Sequence, residues 1–133
     1  IGRAMKVSKE NIVGLLTALQ NLNVEAFVAK EASLIELLQG IKGEIEKIPG
    51  ISATFVESEY CLCSYPTLEI NVDEKITGIS AYEICAKMRL KNIYLRDRYV
   101  NQGIVRIYSI NMNKEIAEKI EKALIETING ARS

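Results

Sequence analysis

The sequence contains no histidine and no tryptophan. Because histidine is the side chain that titrates near neutral pH, its absence excludes a Ser-His-Asp triad and a zinc site with histidine ligands. The sequence also has no GxGxxG or phosphate-loop pattern, so the glycine-rich motifs that cradle nucleotide phosphates are absent. We therefore expect the chain itself to supply no catalytic residue and no metal site.

Cysteine is also scarce: Cys61, Cys63 and Cys85 are the only three. A small, odd number does not suit a disulfide framework and favours the reducing cytoplasm. Cys61 and Cys63 would lie on one side of an extended segment, but a metal ion would need two further ligands. Cys85 lies in a predicted helix, where we expect it to act as a small core residue.

The sequence has no excess of charge of either sign, since 17 basic residues balance 17 acidic ones. It therefore lacks the excess of positive charge that attracts nucleic acid. The apolar runs are too short to span a bilayer, and no signal-peptide pattern opens the chain. With 133 residues, 48% of them hydrophobic, the chain suits one compact globular unit. We expect a cytoplasmic protein that binds neither membrane nor nucleic acid.

Apolar residues at helical spacing dominate the first third of the chain. A first helix is predicted after Ser8, whose hydroxyl can accept a hydrogen bond from a first-turn N–H. Asn21 and Asn23 indicate a break. A second, longer helix is predicted over 24–47, ended by Pro49.

The apolar period then changes to two. Strands are predicted at 51–56, 67–73, 93–96 and 103–110, with a helix opened by a capping box at Ser80 and Glu83 and a last helix from Asn113 to Gly130. The order ααββαββα predicts an α+β fold: two N-terminal helices followed by a mainly antiparallel four-stranded sheet with helices on one face. Within one compact unit, we divide the chain into an N-terminal helical segment, 1–50, and an α/β small domain, 51–133.

The N-terminal segment holds the first candidate binding residues. Arg3 and Lys6 lie three residues apart, and a turn could bring the guanidinium and the ammonium around one anion. The alternative is a solvated basic segment.

A second basic cluster follows the predicted third strand. It contains Arg96 and Arg98, with Arg106 on the next strand, and strand ends beside loops are common places for ligand contacts. The alternative is a surface ion pair of Asp97 with either neighbour, which contributes little. The six tyrosines are scattered, so we expect them at the edge of the core rather than as a platform for stacking bases.

The first residues, Ile-Gly-Arg-Ala-Met-Lys-Val-Ser-Lys-Glu over 1–10, followed by the apolar run 12–19, resemble a known family. They are similar to a segment of the selenocysteine synthase-like branch of fold-type-I pyridoxal-phosphate enzymes. That branch contains L-seryl-tRNA(Sec) selenium transferase and the sugar-acid phosphate ammonia-lyases, and the resemblance is greater to the lyases. Shorter matches at 66–73, 78–84 and 93–96 extend it along nearly the whole chain. The chain departs from the family pattern just before 93–96, where a proline often stands.

The resemblance implies the C-terminal small domain of a larger lyase or transferase that acts on an amino substrate. The lysine that holds pyridoxal 5'-phosphate would lie in a missing large domain, so none of the lysines here is its equivalent, and we expect no cofactor on this fragment. The start at Ile1, without methionine, fits that expectation. Arg3, Lys6, Arg96 and Arg98 would bind the anionic group of a small amino substrate while the domain closes over the active site. Alone, the domain would be inactive and would self-associate as a homo-oligomer.

Two other functions remain open at this point. A free-standing regulatory module with paired β and α units could bind a small amino acid, but it would not need the two leading helices. An RNA-binding domain would need a strand motif of aromatic and basic residues, which this sequence lacks.

Overall fold

The computed structural model describes residues 8–56 and 65–132. In chain order they form α1 (Lys9–Gln20), α2 (Val24–Ile45), β1 (Ile51–Val56), β2 (Thr67–Val72), α3 (Glu74–Thr77), α4 (Ala81–Leu90), β3 (Ile104–Tyr108) and α5 (Lys114–Arg132), with a short 3-10 helix, Val100–Gln102, before β3. The chain divides into two compact units, Ile1–Lys30 and Glu31–Ser133. The functional division at residue 50 stays a prediction.

The first unit contains α1 and the start of α2. The Ser8 hydroxyl accepts a hydrogen bond from the Asn11 N–H at 3.2 Å, and Asn23 caps α2 by accepting from the Ala26 N–H at 3.1 Å. Both predicted N-terminal helices are therefore confirmed, but α1 buries none of its residues. No single helix in the described ranges is long and apolar enough to cross a membrane, although α1 and α2 taken together, as a bent pair, meet those criteria of length and composition.

The second unit is built on an antiparallel sheet in the order β1-β2-β3. Along the register Ala53 lies opposite Ile70, which lies opposite Val105, and all three are buried. Because side chains alternate between the faces of a strand, one sheet face is apolar and the other is polar. Buried residues of α2, α4 and α5 belong to the same core as the apolar sheet face. The α+β class is confirmed.

The prediction of a fourth strand at 93–96 is wrong, since the described residues form a three-stranded sheet. This segment makes a single bridge, in which Arg96 pairs with Arg106. Its start is held at the end of α4, where the Ile93 N–H donates to the Met88 carbonyl at 3.0 Å. Ile93 and Leu95 are nevertheless buried, so the alternation predicted burial correctly. Alternation records which side chains face a core and does not require a ladder of backbone hydrogen bonds.

The helices also differ from the prediction after β2 and at the C-terminal end of α5. A short helix, α3, follows β2, and Asp73 caps it by accepting a hydrogen bond from the Lys75 N–H at 3.0 Å. At the other end of the chain, α5 continues through Gly130 to Arg132. Gly130 therefore does not end the helix, because glycine weakens a helix without preventing it. The capping box of Ser80 and Glu83 at α4 is confirmed.

Strand β1 lies at an edge of the sheet, where backbone groups lack a strand partner. At Ala53 the backbone groups of this edge are bonded by two side chains, one from α2 and one from the turn that follows it. Lys42 donates to the Ala53 carbonyl at 2.7 Å, and Glu46 accepts from the Ala53 N–H at 3.0 Å. The hydrogen bond from Lys42 and then that from Ala53 lower the pKa of Glu46 below its ordinary value.

We expect Glu46→Gln to destabilise the chain at neutral pH and to have little effect in acid. A carboxylate whose folded-state pKa is lowered contributes stability above its ordinary pKa of 4.5, and that contribution is lost as the pH falls through the lowered value. Urea unfolding at neutral pH and well below pH 4.5 measures the difference. Glu36→Gln, at an exposed position on α2, is the control. An equal effect of Glu46→Gln at both pH values would contradict this account.

Candidate anion-binding site

Three arginines and two tyrosines lie close together around β3. Arg96, Arg98, Tyr99, Arg106 and Tyr108 form what we call the arginine–tyrosine cluster. Two backbone hydrogen bonds join Arg96 to Arg106, with N–H to carbonyl distances of 3.1 and 3.3 Å. The bridge that replaces the predicted fourth strand therefore holds two of the arginines side by side.

Arg96 is the exposed arginine of this pair. Its guanidinium carbon lies 5.1 Å from the centroid of the Tyr108 ring, a cation–π distance. No carboxylate in the described ranges pairs with it. Together with Arg106 and Tyr108 it lines a cavity of about 260 Å³ whose remaining walls are mostly isoleucine and leucine. The Tyr108 ring therefore positions the Arg96 guanidinium, whose positive charge stays available to bind an anion.

Arg106 is engaged differently. Its Nε and a terminal nitrogen both lie 2.8 Å from Oε2 of Glu69 on β2, and only 12% of the arginine side chain and 15% of the glutamate side chain are exposed. The guanidinium also lies 4.3 Å from the centroid of the Tyr99 ring. Glu69 compensates the charge of Arg106 where both side chains are shielded from water. Arg106 is therefore suited to holding the backbone of Arg96 in position through the bridge.

Arg98 is the third arginine of the cluster. Its guanidinium is 5.7 Å from the centroid of Tyr99, and it does not line the Arg96 cavity. Asp97 forms its ion pair with Arg89 of α4. The alternative interpretation, a surface pair of Asp97 with a neighbouring arginine, is not this pair. The two predicted arginines differ in place, because Arg96 lines the cavity and Arg98 does not.

The predictions for the other residues considered from the sequence have different outcomes. Arg3, Lys6, Cys61 and Cys63 lie outside the described residues. Cys85 is buried on α4, and burial, followed by the charge of Asp97, raises the pKa of its thiol, which disfavours the nucleophilic thiolate. Within the two described ranges, no three or more Cys, Asp or Glu side chains are grouped to hold a metal ion.

Sequence reasoning missed Glu69 and the two tyrosines of the cluster. Only Tyr108 had a signal in the sequence, because side chains alternate along β3 and this places Tyr108 on the same polar face as Arg106. Once β2 and β3 are paired in register, Glu69 lies opposite Arg106. That register was not available from spacing alone. Tyr99 and Tyr108 are half-buried, as residues at the edge of a core are, and their rings also contact guanidinium groups.

Comparison with known proteins finds similarity to two enzymes. The chain is 30% identical over 132 residues to a 5'-C-glycyluridine monooxygenase-decarboxylase from Streptomyces, a match that covers 95% of this chain and 33% of that protein. It is 30% identical over 106 residues to a D-glucosaminate-6-phosphate ammonia lyase from Salmonella typhimurium, covering 78% of this chain and 27% of that protein. No family model matches the chain.

A solved structure gives the same result. The fold is similar to that of a D-glucosaminate-6-phosphate ammonia-lyase, with a TM-score of 0.68 and 25% identity, over 98% of this chain and 35% of that one. The chain thus spans about a third of the length of the proteins it matches. Because the structural match leaves out only a few residues, α1 and α2 belong to the shared part.

Proposed function

We propose that this chain is the C-terminal small domain of a pyridoxal-phosphate-dependent enzyme, a lyase or transferase acting on an amino substrate. Its role is to bind an anionic group of the substrate and to close the active site, and it is inactive alone. The observation that carries the proposal is the fold similarity to an ammonia-lyase over almost all of this chain but only 35% of that protein. We assign it to the ammonia-lyase side of the selenocysteine synthase-like, fold-type-I enzymes, as a cytoplasmic homo-oligomer.

The names of the two similar enzymes suggest the substrate class. Glucosaminate is an amino acid with a polyhydroxy chain, and glycyluridine carries a glycyl group on a nucleoside. Both substrates therefore place an amino group and a carboxylate on a sugar-derived skeleton. A guanidinium binds a carboxylate through two parallel hydrogen bonds, so an arginine is the side chain suited to orient such a substrate. We propose that Arg96 binds the carboxylate, with Arg98, Arg3 and Lys6 as further candidates for contacts with anions.

The described residues do not fit a holding site for pyridoxal phosphate. That cofactor is held through a lysine, and none of three cavities formed by described residues has a lysine in its lining. Lys42 and Lys91 are engaged in ion pairs on the surface. We propose that the missing large domain binds the cofactor, and that this chain contributes residues to the substrate only.

Arg96→Ala in the full-length polypeptide is expected to raise the KM for an amino sugar acid about 10- to 100-fold. Losing a charge-assisted pair of hydrogen bonds costs about 1.5–3 kcal/mol, and each 1.4 kcal/mol is about tenfold in affinity. Arg96→Lys should recover part of the loss, because an ammonium keeps the charge without the two-pronged geometry. Ammonia release from D-glucosaminate 6-phosphate, with pyridoxal phosphate present, is the first assay.

The control is Arg132→Ala, at an exposed position at the end of α5, which should leave KM unchanged. A KM for Arg96→Ala equal to that of the parent enzyme would remove Arg96 from the substrate site. Lyase or transferase activity of the 133-residue chain by itself would overturn the proposal that it is a small domain.

A further inference from the structure

The first unit exposes a row of large apolar side chains. Nine of them between residues 12 and 28 are 47–65% exposed: Ile12, Val13, Leu15, Leu16, Leu19, Leu22, Val24, Phe27 and Val28. The sequence from Asn11 to Ala29 carries one charged residue, Glu25. A helix that faces water normally has charged residues on its outer side. We call these nine residues the apolar surface of the first unit. Its composition is typical of a surface that another protein segment or domain covers.

The energetics of α1 lead to the same conclusion. This helix has 12 residues and buries none of them. Isolated helices of that length are marginal in water, because most helical stability in proteins comes from packing an apolar face. A Ser8 cap adds only about 1 kcal/mol. The helix therefore needs an occupant of its apolar surface to be stably formed.

We propose that the apolar surface of the first unit docks on the remaining part of a longer polypeptide, the large domain named in the proposed function, on which this inference rests. The proteins that share this segment are about three times as long as the chain. A domain joined to the segment in the same polypeptide is present at a high effective concentration, which favours it over a separate molecule.

A membrane fits this surface less well. Helices that lie in a membrane interface carry lysine and arginine on their polar side. The described part of the first unit has a lysine at each end, Lys9 and Lys30, and neither lysine nor arginine between them. Lysines therefore flank the apolar surface but do not line a polar side along it.

Hydrogen exchange measured by mass spectrometry tests the docking. Backbone amides of α1 should exchange at least about ten times more slowly in the full-length polypeptide than in the 133-residue chain, independently of protein concentration. Leu16→Glu should return the exchange in the full-length polypeptide to the fast rate. Gln20→Glu adds the same charge at an exposed polar position of the same helix and should keep the slow rate. Amides of β2 report whether each variant is folded.

Other outcomes overturn the inference. Equal exchange of α1 in the two proteins, or a reading frame that supplies no further domain, would show that no large domain covers the surface. Protection that grows with concentration in the 133-residue chain would assign the surface to a second copy, and protection only with vesicles of phosphatidylcholine and phosphatidylserine would assign it to a membrane. The measurement uses no substrate, so slow exchange together with an unchanged KM for Arg96→Ala would refute the function of Arg96 and leave the docking surface intact.

Discussion

Gly50→Ala is expected to lower the free energy of unfolding by about 2–4 kcal/mol, because it combines backbone strain with a steric clash. Gly50 has a φ angle of 87°, a backbone conformation that residues other than glycine rarely adopt. A Cβ atom there would lie 2.8 Å from Cβ of Ile76 and 3.0 Å from Cγ2 of Thr77. Neither contact is the far end of a flexible side chain, so the backbone between α2 and β1 would have to move.

The position also carries a hydrogen bond that links two parts of the second unit. The Gly50 carbonyl accepts from the Asp73 N–H at 2.8 Å, which joins the start of β1 to the start of α3. A displaced Gly50 would strain this bond as well. Urea unfolding followed by circular dichroism measures the loss.

Gly40→Ala is the matched control, because it is the same chemical change in a different backbone. Gly40 lies inside α2, and outside the backbone of that helix no heavy atom lies within 4 Å of the position that the alanine methyl group would take. An alanine in a helix interior is favoured over glycine by about 0.5–1 kcal/mol. The two substitutions should therefore change stability in opposite directions. A Gly50→Ala variant within about 0.5 kcal/mol of the parent chain, the range of neutral surface changes, would refute the strained turn.

Glu69→Ala is expected to lower the free energy of unfolding by about 1–3 kcal/mol, because it removes the Glu69 carboxylate from Arg106 in a place that is shielded from water. Only 12% of the Arg106 side chain is exposed, and Glu69 is the partner 2.8 Å away. Removing one member of a shielded ion pair costs more than the pair contributes, since the remaining group loses the opposite charge that offset its desolvation. Unfolding in urea gives the magnitude, and a double variant with Arg106→Met should recover part of the loss.

The same substitution links stability to the candidate site. Arg106 is joined to Arg96 by two backbone hydrogen bonds, so we expect Glu69→Ala also to raise the KM of the full-length polypeptide, by less than Arg96→Ala does. Glu118→Ala is the control, because its pair with Lys114 on α5 is exposed and 3.9 Å long, and such pairs contribute at most about 1 kcal/mol. If the two glutamate variants lose the same stability, the Glu69 pair is an ordinary surface pair.

Much of the fold was determined by the sequence alone, because its signals act over a few residues. Ser8 and Ser80 were predicted as helix caps, and both accept the hydrogen bonds expected of them. Period two predicted β1 and β2 at nearly their observed bounds. A cap or an alternating pattern is satisfied by neighbours in the chain, so a sequence displays it directly.

The pairing of segments and the shape of the site were decided only in the tertiary structure. The burial of Ile93 and Leu95 alternates as it does in a strand. The backbone hydrogen bond from Ile93 to the end of α4, however, leaves this segment with only a single described bridge to β3. Arg96, the first candidate by its place after the predicted third strand, and Arg98, the second, lie two residues apart in the sequence. In the structure Arg96 lines a cavity and Arg98 packs on Tyr99. Which arginine is available to an anion depends on the residues that meet it across the sheet, and those contacts join positions far apart in the chain. Local patterns therefore determined the elements, while long-range packing determined their pairing and the candidate site.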